Sequence, residues 1–347
     1  MKKVRLGFVG VGNMGQAAHL RNYASLDDCD VVAIAEVRPL LAQRVAARYG
    51  VANVYPSAEV MLEREQLDGL VAPQPFDRHG QLVAPLYRYG LPILTEKPLA
   101  HSIEVGESML AQLEQGGSFH MVGYHKRSDP ATAWAKTEIE RLQSTLEMGA
   151  LRYVRITMPP GDWIAGGFHE VLGSDERMPP LDRDAAPSDM DESTFVAYVS
   201  FVNYYIHQVN LLRHLLGESY RVTHADPSGV LLVVQSQSGV CGTLEMAAYQ
   251  TPLEWHETAL VAFERGFIKL ELPAPLTHNW AGRVEAFYGG QEARTIVPVL
   301  PPIDAMRAQA MNFVRAIRGE IKPPCEAPEA LEDLCVARDY IRLWKGV

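Results

Sequence analysis

The sequence predicts an α/β Rossmann domain on a parallel sheet, followed by an α+β domain with a large, mainly antiparallel open sheet. Three observations lead there. At 347 residues the chain is longer than a single hydrophobic core usually serves. Its first 125 or so residues alternate short apolar runs with amphipathic stretches, the pattern of βαβ units. After that point the texture changes, and beyond a long helix ending near Leu216 several strand-like segments follow one another. The boundary is therefore placed at 125, giving domains 1–125 and 126–347, with terminal helices free to pack back on the first.

The elements follow in order. Val4–Val9 reads as a strand, Gly15–Ser25 as a helix and Val31–Ala35 as a second strand. Pro39–Tyr49 reads as a helix, with Pro39 suited to its first turn. Leu67–Val71 is a strand and His79–Tyr89 a helix closed by Gly90. Pro92–Thr95 is a strand, Ile103–Gln115 a helix stopped at Gly116-Gly117, and Phe119–Gly123 the last strand of the sheet. In the second half Pro130–Leu146 is helical and Leu151–Met158 alternates like a strand. Residues 159–193 are rich in Pro, Gly and Asp, and a loop of that length is uncommon unless functional or disordered. Phe195–Leu216 is an amphipathic helix. Strand candidates follow at Val230–Gln235, Gly242–Tyr249, Thr258–Phe263, Phe267–Leu272 and Thr295–Val299, then helices at Arg307–Ile317 and Ala327–Leu343.

Composition excludes several classes. The apolar fraction is 47% and the charged fraction 21%, as in ordinary soluble enzymes. No apolar run approaches bilayer length, and the short apolar start runs into Gly12 without a cleavage site, so a cytoplasmic protein with no membrane partner is expected. A net charge of −10 lacks the basic footprint of a nucleic-acid binder. Cys29, Cys241, Cys325 and Cys335 form no CxxC pair, which argues against a disulfide framework or a zinc site.

Gly10-Val11-Gly12-Asn13-Met14-Gly15 fits GxGxxG between a strand and a helix. The first glycine permits a tight turn, the second lets backbone approach a pyrophosphate, and the third allows close helix packing over the phosphates. Glu36 ends the second strand about 20 residues beyond the motif, where a carboxylate can accept hydrogen bonds from ribose hydroxyls and repel a 2′-phosphate. That favours NAD over NADP. Arg38 pulls the other way, because a guanidinium there can pair with a 2′-phosphate. Taken alone, Glu36 also reads as a solvated strand-end acid and Arg38 as a surface charge near a helix start.

Thr95-Glu96-Lys97-Pro98-Leu99-Ala100 adds a second motif. Together with GxGxxG it resembles the Gfo/Idh/MocA family, the glucose–fructose oxidoreductase and inositol dehydrogenase group, whose members carry EKP after a late Rossmann strand. Pro75 (with Gln74 beside it) and His79, seventeen residues before Glu96, match that family's spacing. Gly123-Tyr124-His125-Lys126-Arg127-Ser128-Asp129-Pro130 is similar to its G-F-N-R-R-x-x-P segment. His207-Gln208-Val209-Asn210-Leu211-Leu212-Arg213-His214-Leu215-Leu216-Gly217 is similar to its H-x-x-D-L-L-R-x-L-L-G helix. The resemblance implies an NAD-dependent oxidoreductase acting on a sugar, polyol or glycoside, with Gln74, Pro75, His79, Glu96 and Lys97 joining the glycine motif at the cofactor.

Lys97 is the first catalytic candidate. A lysine at the mouth of a parallel sheet beside a cationic nicotinamide should have a lowered pKa and take a proton from the hydroxyl being oxidised; in isolation it would be a surface lysine. His207 is the second. Asn203, His207, Asn210 and His214 form a polar stripe at i, i+4, i+7 and i+11, which by itself reads as a solvated face. The resemblance places a catalytic histidine at His207. It also commonly has aspartate where this chain has Asn203, and an amide cannot act as a base.

Tyr124, His125, Lys126, Arg127, Trp163, His169, Asn203 and Tyr204 are the substrate-side candidates. Aromatic faces suit sugar C–H surfaces, while the His125–Arg127 cluster suits an anionic sugar or lines a domain boundary. No metal is expected. Two other functions stay open: a redox glycoside hydrolase that borrows and returns a hydride, and a non-catalytic sensor of NAD and sugar. An exposed apolar face on the second sheet would make a homodimer or homotetramer.

Overall fold

The computed structural model describes residues 2–246, 249 and 253–347. The chain divides into two compact units. One comprises Met1–Tyr124, Gly166–Asp191 and Met306–Leu331; the other comprises His125–Ala165, Glu192–Ala305 and Glu332–Val347. Two later segments thus join the first unit, so the second is not the continuous stretch 126–347.

The first unit opens with β1 (Val4–Val9), a wide helical section (Gly15–Leu20) running into α1 (Arg21–Tyr23), and β2 (Cys29–Ala35). Next come α2 (Pro39–Tyr49), β3 (Asn53–Tyr55), α3 (Ala58–Arg64) and β4 (Gly69–Ala72). A loosely and then tightly wound stretch, His79–Val83 and Ala84–Tyr89, leads to β5 (Ile93–Glu96), α4 (Ile103–Gly116) and β6 (His120–Gly123). The six strands are all parallel in the order β3-β2-β1-β4-β5-β6. Val, Leu and Ile fill β4 and β5 because both faces of such a sheet are covered. The unforeseen β3 and α3 are only three and seven residues long. Ser57 starts α3 by accepting a hydrogen bond from the Val60 N–H.

The second unit contains α5 (Pro130–Thr145), β7 (Leu151–Thr157), α6 (Glu192–Leu216), β8 (Tyr220–Ala225), β9 (Leu231–Ser236), β10 (Cys241–Glu245), β11 (Glu257–Phe263), β12 (Gly266–Leu272), β13 (Arg283–Tyr288) and β14 (Arg294–Ile296). The sheet runs β14-β13-β12-β11-β7-β10-β9-β8, antiparallel throughout except where β10 and β7 run parallel. In β11 buried and half-buried residues alternate without a break, the period-two mark of a sheet covered on one face. Helices α5 and α6 cover that face, over β12–β13 and over β7 and β10. β8 and β13 were not foreseen: β8 is an edge strand with hardly any buried residue. The expected strand Gly242–Tyr249 is seen as β10, and 247 and 248 lie outside the described residues.

Two helices close the chain, α7 (Ala305–Ile317) and α8 (Ala327–Lys345). Ala310, Phe313 and Val314 of α7 complete the core of the first unit with Phe8, Tyr23 and Leu41. Phe313 sits edge-on between Tyr23 and Phe119, at 6.4 and 6.2 Å. Burying each such side chain contributes about 1.5–3 kcal/mol. Among the described residues no helix is long and apolar enough to cross a membrane.

Candidate active site

β1, β2, β4 and β5 lie side by side and parallel, so the loops that follow them leave one edge of the sheet. Strand order reverses between β1 and β4, and the crevice at such a reversal is where open parallel sheets take ligands. Gly10 follows β1, Glu36 follows β2, Gln74 lies beyond β4, and Glu96 ends β5 with Lys97 next.

Gly10 has φ +91°, and a Cβ there would fall 2.1 Å from Gln74 Nε2. That amide nitrogen donates to the Val9 carbonyl at 2.7 Å, which ties the β1 and β4 loops together. A Cβ on Gly15 would meet the Gly10 carbonyl oxygen at 2.8 Å. Gly12 differs: its Cβ would find only Arg38 Nη2, at 3.8 Å. The outer glycines let the loop close, and the middle one leaves its concave side clear, as a pyrophosphate requires. Asn13 is exposed and Met14 half-buried at this edge, whereas the Val11 side chain is in the core.

Glu36 is 6% exposed. Its carboxylate accepts from the Val11 N–H at 3.0 Å and from Arg38 through the backbone N–H, Nε and Nη2. Those bonds use its acceptor positions, so a ribose hydroxyl reaches Glu36 only as the Arg38 side chain moves off. Arg38 and Glu36, read from sequence as opposed influences, form one ion pair.

The turn after β5 is held from below. Glu96 Oε1 lies 2.7 Å from His19 Nε2, and Oε2 accepts from the Lys97 N–H at 3.3 Å. Burial works to raise the Glu96 pKa, but the His19 hydrogen bond and charge, with Lys97, carry it below its ordinary value. The Lys97–Pro98 peptide is cis, and the Lys97 side chain is half-buried. His79 is fully buried, with Nδ1 2.9 Å from the Leu99 carbonyl oxygen and Nε2 3.1 Å from that of Gln74. Burial lowers its pKa, and a neutral ring donates to one of the two. His79 thereby pins the β4 and β5 loops to each other, while Pro75 stands exposed beside Gln74.

The Pro- and Asp-rich segment contributes an ordered strap, residues 166–191, to this unit. Gln16, directly after the third glycine, donates to the Val11 and Leu172 carbonyls and accepts from the Leu172 N–H. Glu176 accepts from the N–H groups of Leu40 and Leu41 in the first turn of α2. Arg44 and Arg48 bond Gly173 and Glu170. Farther along, Asp184 accepts from the Gly80 N–H, and Arg183 pairs with Asp77. His169 is exposed on the strap.

In the second unit, α6 carries Asn203 exposed and His207 half-buried one turn later. The His207 ring meets His125 edge-on, with centroids 4.5 Å apart. The Tyr204 hydroxyl accepts from the Gly161 N–H, which holds the loop carrying half-buried Trp163. Asn210 is buried, accepting from Arg127 Nε at 2.6 Å and donating to Asp333 at 2.8 Å. The polar stripe is therefore no solvated face. Burial, then Arg127, Lys136 and Arg213, drives the pKa of His214 well down.

The family model described as an oxidoreductase family with an NAD-binding Rossmann fold, Gfo/Idh/MocA, matches residues 4–124. Residues 4–124 are an NAD-binding Rossmann domain of the Gfo/Idh/MocA type. The chain is 24% identical over 351 residues to the rhizopine catabolism protein MocA of Rhizobium meliloti, covering 97% of the chain and 94% of that protein. It is 30% identical over 140 residues to an inositol 2-dehydrogenase of Acidothermus cellulolyticus, covering 40% of the chain and 41% of that enzyme. Its fold matches the WlbA dehydrogenase of Bordetella pertussis, solved with NADH and UDP-GlcNAcA, with TM-score 0.71 and 18% identity over 100% of this chain and 98% of that one. Solved structures of this fold hold NADH or NADP, so local side chains decide between them.

Several partners of the predicted residues carry no signal in the sequence. His19 under Glu96, Glu257 under Lys126 and Glu176 on α2 are joined to their partners only by folding. Gln16, next to the third glycine, had a positional signal. Tyr124, His125, Lys126 and Arg127, which the sequence offers either to a substrate or to a domain boundary, are all at least nine-tenths buried. Lys126 is paired with Glu257 and lies 5.4 Å from the Trp255 ring centroid. Bare cations cannot be buried, so the fold neutralises these charges internally.

Proposed function

We propose that this oxidoreductase is an NAD-dependent dehydrogenase of an uncharged sugar or polyol. The observation that carries the reading is the Glu96–Lys97 turn: a half-buried lysine at the carboxyl edge of a parallel sheet, fixed by a buried carboxylate and His19. The nicotinamide supplies the hydride acceptor. Lys97 Nζ takes the proton of the hydroxyl being oxidised. His207, steadied by the His125 ring, is the second proton-handling group. Asn203 can orient a hydroxyl by hydrogen bonding and cannot remove its proton. Glu36 disfavours a 2′-phosphate, which supports NAD. With Lys126 and Arg127 committed to internal partners, recognition falls on neutral groups such as Asn203 and Trp163.

The test is to follow NADH and released aglycone together, with NAD⁺ and a panel of sugars, polyols and aryl glycosides. NADH accumulating with a free sugar or polyol is the expected result. Aglycone release that requires NAD⁺ without net NADH replaces this reading with a redox glycosidase, a chemistry with which Asn203 is compatible. Lys97→Ala should lower turnover by about 10²–10⁴-fold while NADH still binds. Unchanged signalling or binding with no turnover in either protein points instead to a sensor.

The reading extends to assembly. The open face of the second sheet is mixed rather than wholly apolar: half-buried Leu260 and Phe267 stand among exposed Arg155, Lys269 and Glu271. A face with both signs of charge and half-buried apolar residues is able to pair with a second copy of itself about a twofold axis, and this supports the reading of a homodimer or homotetramer. A monomer mass by light scattering overturns it.

A further inference from the structure

We infer that Glu176 is a cofactor-specificity residue, a carboxylate of the chain itself standing where the 2′-phosphate of NADP would have to bind. The inference rests on the dinucleotide site described above and deepens the NAD reading. A 2′-phosphate next to Glu36 has two natural partners, the Arg38 guanidinium and the free N–H groups at the start of α2. Both are taken. The N–H groups of Leu40 and Leu41 donate to Glu176 Oε1 and Oε2, at 3.0 and 2.9 Å. Arg38 is paired with Glu36 on one side and stabilises the charge of Glu176 electrostatically on the other.

The placement of Glu176 is built, not incidental. Leu172 is locked to Gln16 beside the glycine loop by two hydrogen bonds, and Arg44 and Arg48 of α2 hold Gly173 and Glu170. The strap therefore reaches from the pyrophosphate loop to the α2 N-terminus and delivers one acid there. α2 has no side-chain cap at Arg38, so Glu176 satisfies donors that the local sequence leaves open. An anion arriving on NADP must displace this carboxylate and also face Glu36. NAD, with only a 2′-hydroxyl at this position, leaves Glu176 on its helix donors and needs only the Arg38 side chain to turn away from Glu36.

The experiment measures NADH and NADPH dissociation constants by nicotinamide fluorescence for the full-length protein and for Glu176→Ala, Glu176→Gln and Glu36→Ala. Wild type should prefer NADH. Glu176→Ala should raise NADPH affinity relative to NADH by about tenfold or more, the scale of one charge-assisted hydrogen bond regained. Glu176→Gln, which keeps the bulk and loses the charge, should shift the same ratio by a smaller factor. The ratio is unmoved by a uniform loss from fraying of α2, so both variants stay informative. A ratio unchanged in both while Glu36→Ala shifts it overturns the role of Glu176 and leaves the NAD reading intact. A wild-type protein that binds NADPH as tightly as NADH overturns both.

Discussion

Replacing Lys126 with methionine removes the cation from a carboxylate that cannot reach water. Lys126 and Glu257 are 3% and 2% exposed. Besides Lys126, Glu257 accepts from Gln208 Nε2 at 2.8 Å and from Trp255 Nε1 at 3.2 Å. After Lys126→Met these two neutral donors face a full negative charge. Breaking a buried pair from one side costs about 3–5 kcal/mol. With an m-value of about 2 kcal/mol/M, the urea midpoint of the second unit should fall by about 1.5–2.5 M. All five tryptophans belong to that unit, so their fluorescence follows its unfolding alone. Lys126→Met/Glu257→Gln removes both charges and should recover more than half of the loss, a coupling of about 2 kcal/mol. A double variant as unstable as the single one refutes the reasoning, since the stranded charge would then not be the cause. Lys126 follows His125, the ring against His207, so the single variant should also lose turnover even under conditions where it stays folded.

The dinucleotide loop separates packing from binding. Gly12→Ala should abolish NADH binding with an unchanged melting temperature, because its Cβ meets only the Arg38 tip, whereas Gly10→Ala should cost about 1–3 kcal/mol through its positive φ and the Gln74 amide. Calorimetry and NADH titration distinguish them; tight binding by Gly12→Ala would contradict the cradle. His120 gives a pH signature. It is fully buried between the Tyr87 hydroxyl and Thr95, and burial takes its pKa down to about 3. The unfolded chain binds the extra proton, so this stability is present above the ordinary 6.5 and is lost as pH falls toward 3, by about 1.4 kcal/mol per pH unit. His120→Gln should flatten that slope by one proton in acid titrations of unfolding. Glu96 acts at lower pH: its depressed pKa contributes stability above 4.5 that is lost as pH falls through the folded value, and His19→Leu should diminish this contribution. Identical acid curves for wild type and His19→Leu would show that the pair does not hold the turn.

Sequence revealed the first unit well because its physics is local. β1, α2, β5 and α4 announce themselves through apolar runs, Pro39 at a helix start and glycines past helix ends. The glycine motif, Glu36 and Lys97 come to one edge by topology alone, once the strands are known to be parallel. What stayed hidden depends on distant pairing. β3 is too short to show a period, and edge strand β8 buries almost nothing. The 159–193 segment has the composition of a loop, and nothing in that composition says which surface it follows. Its order comes from side chains such as Asp184 and Glu176 that satisfy helix-start donors on other elements.

The His125-Lys126-Arg127 triplet shows why charge in a sequence is a poor guide to charge in a site. Three basic residues in a row read as an anion trap, and a carboxylated, phosphorylated or sulfonated sugar would suit them. Their countercharges lie far along the chain: Glu257 is 131 residues beyond Lys126, and Asp333 joins Arg127 through Asn210. Nothing in the local spacing links these residues, yet burial demands such partners, because an isolated buried cation is too costly to keep. Under the proposed function, the groups that the second unit can offer a substrate are then amides, aromatic rings and His207. If so, anionic substituents should earn no affinity there. In competition assays a neutral polyol and its carboxylated analogue should bind within about threefold of each other, less than the tenfold of a single charged hydrogen bond. Strong preference for the carboxylated analogue would mean that Lys126 or Arg127 leaves its internal partner when substrate arrives, and the Lys126→Met variant would lose that preference first.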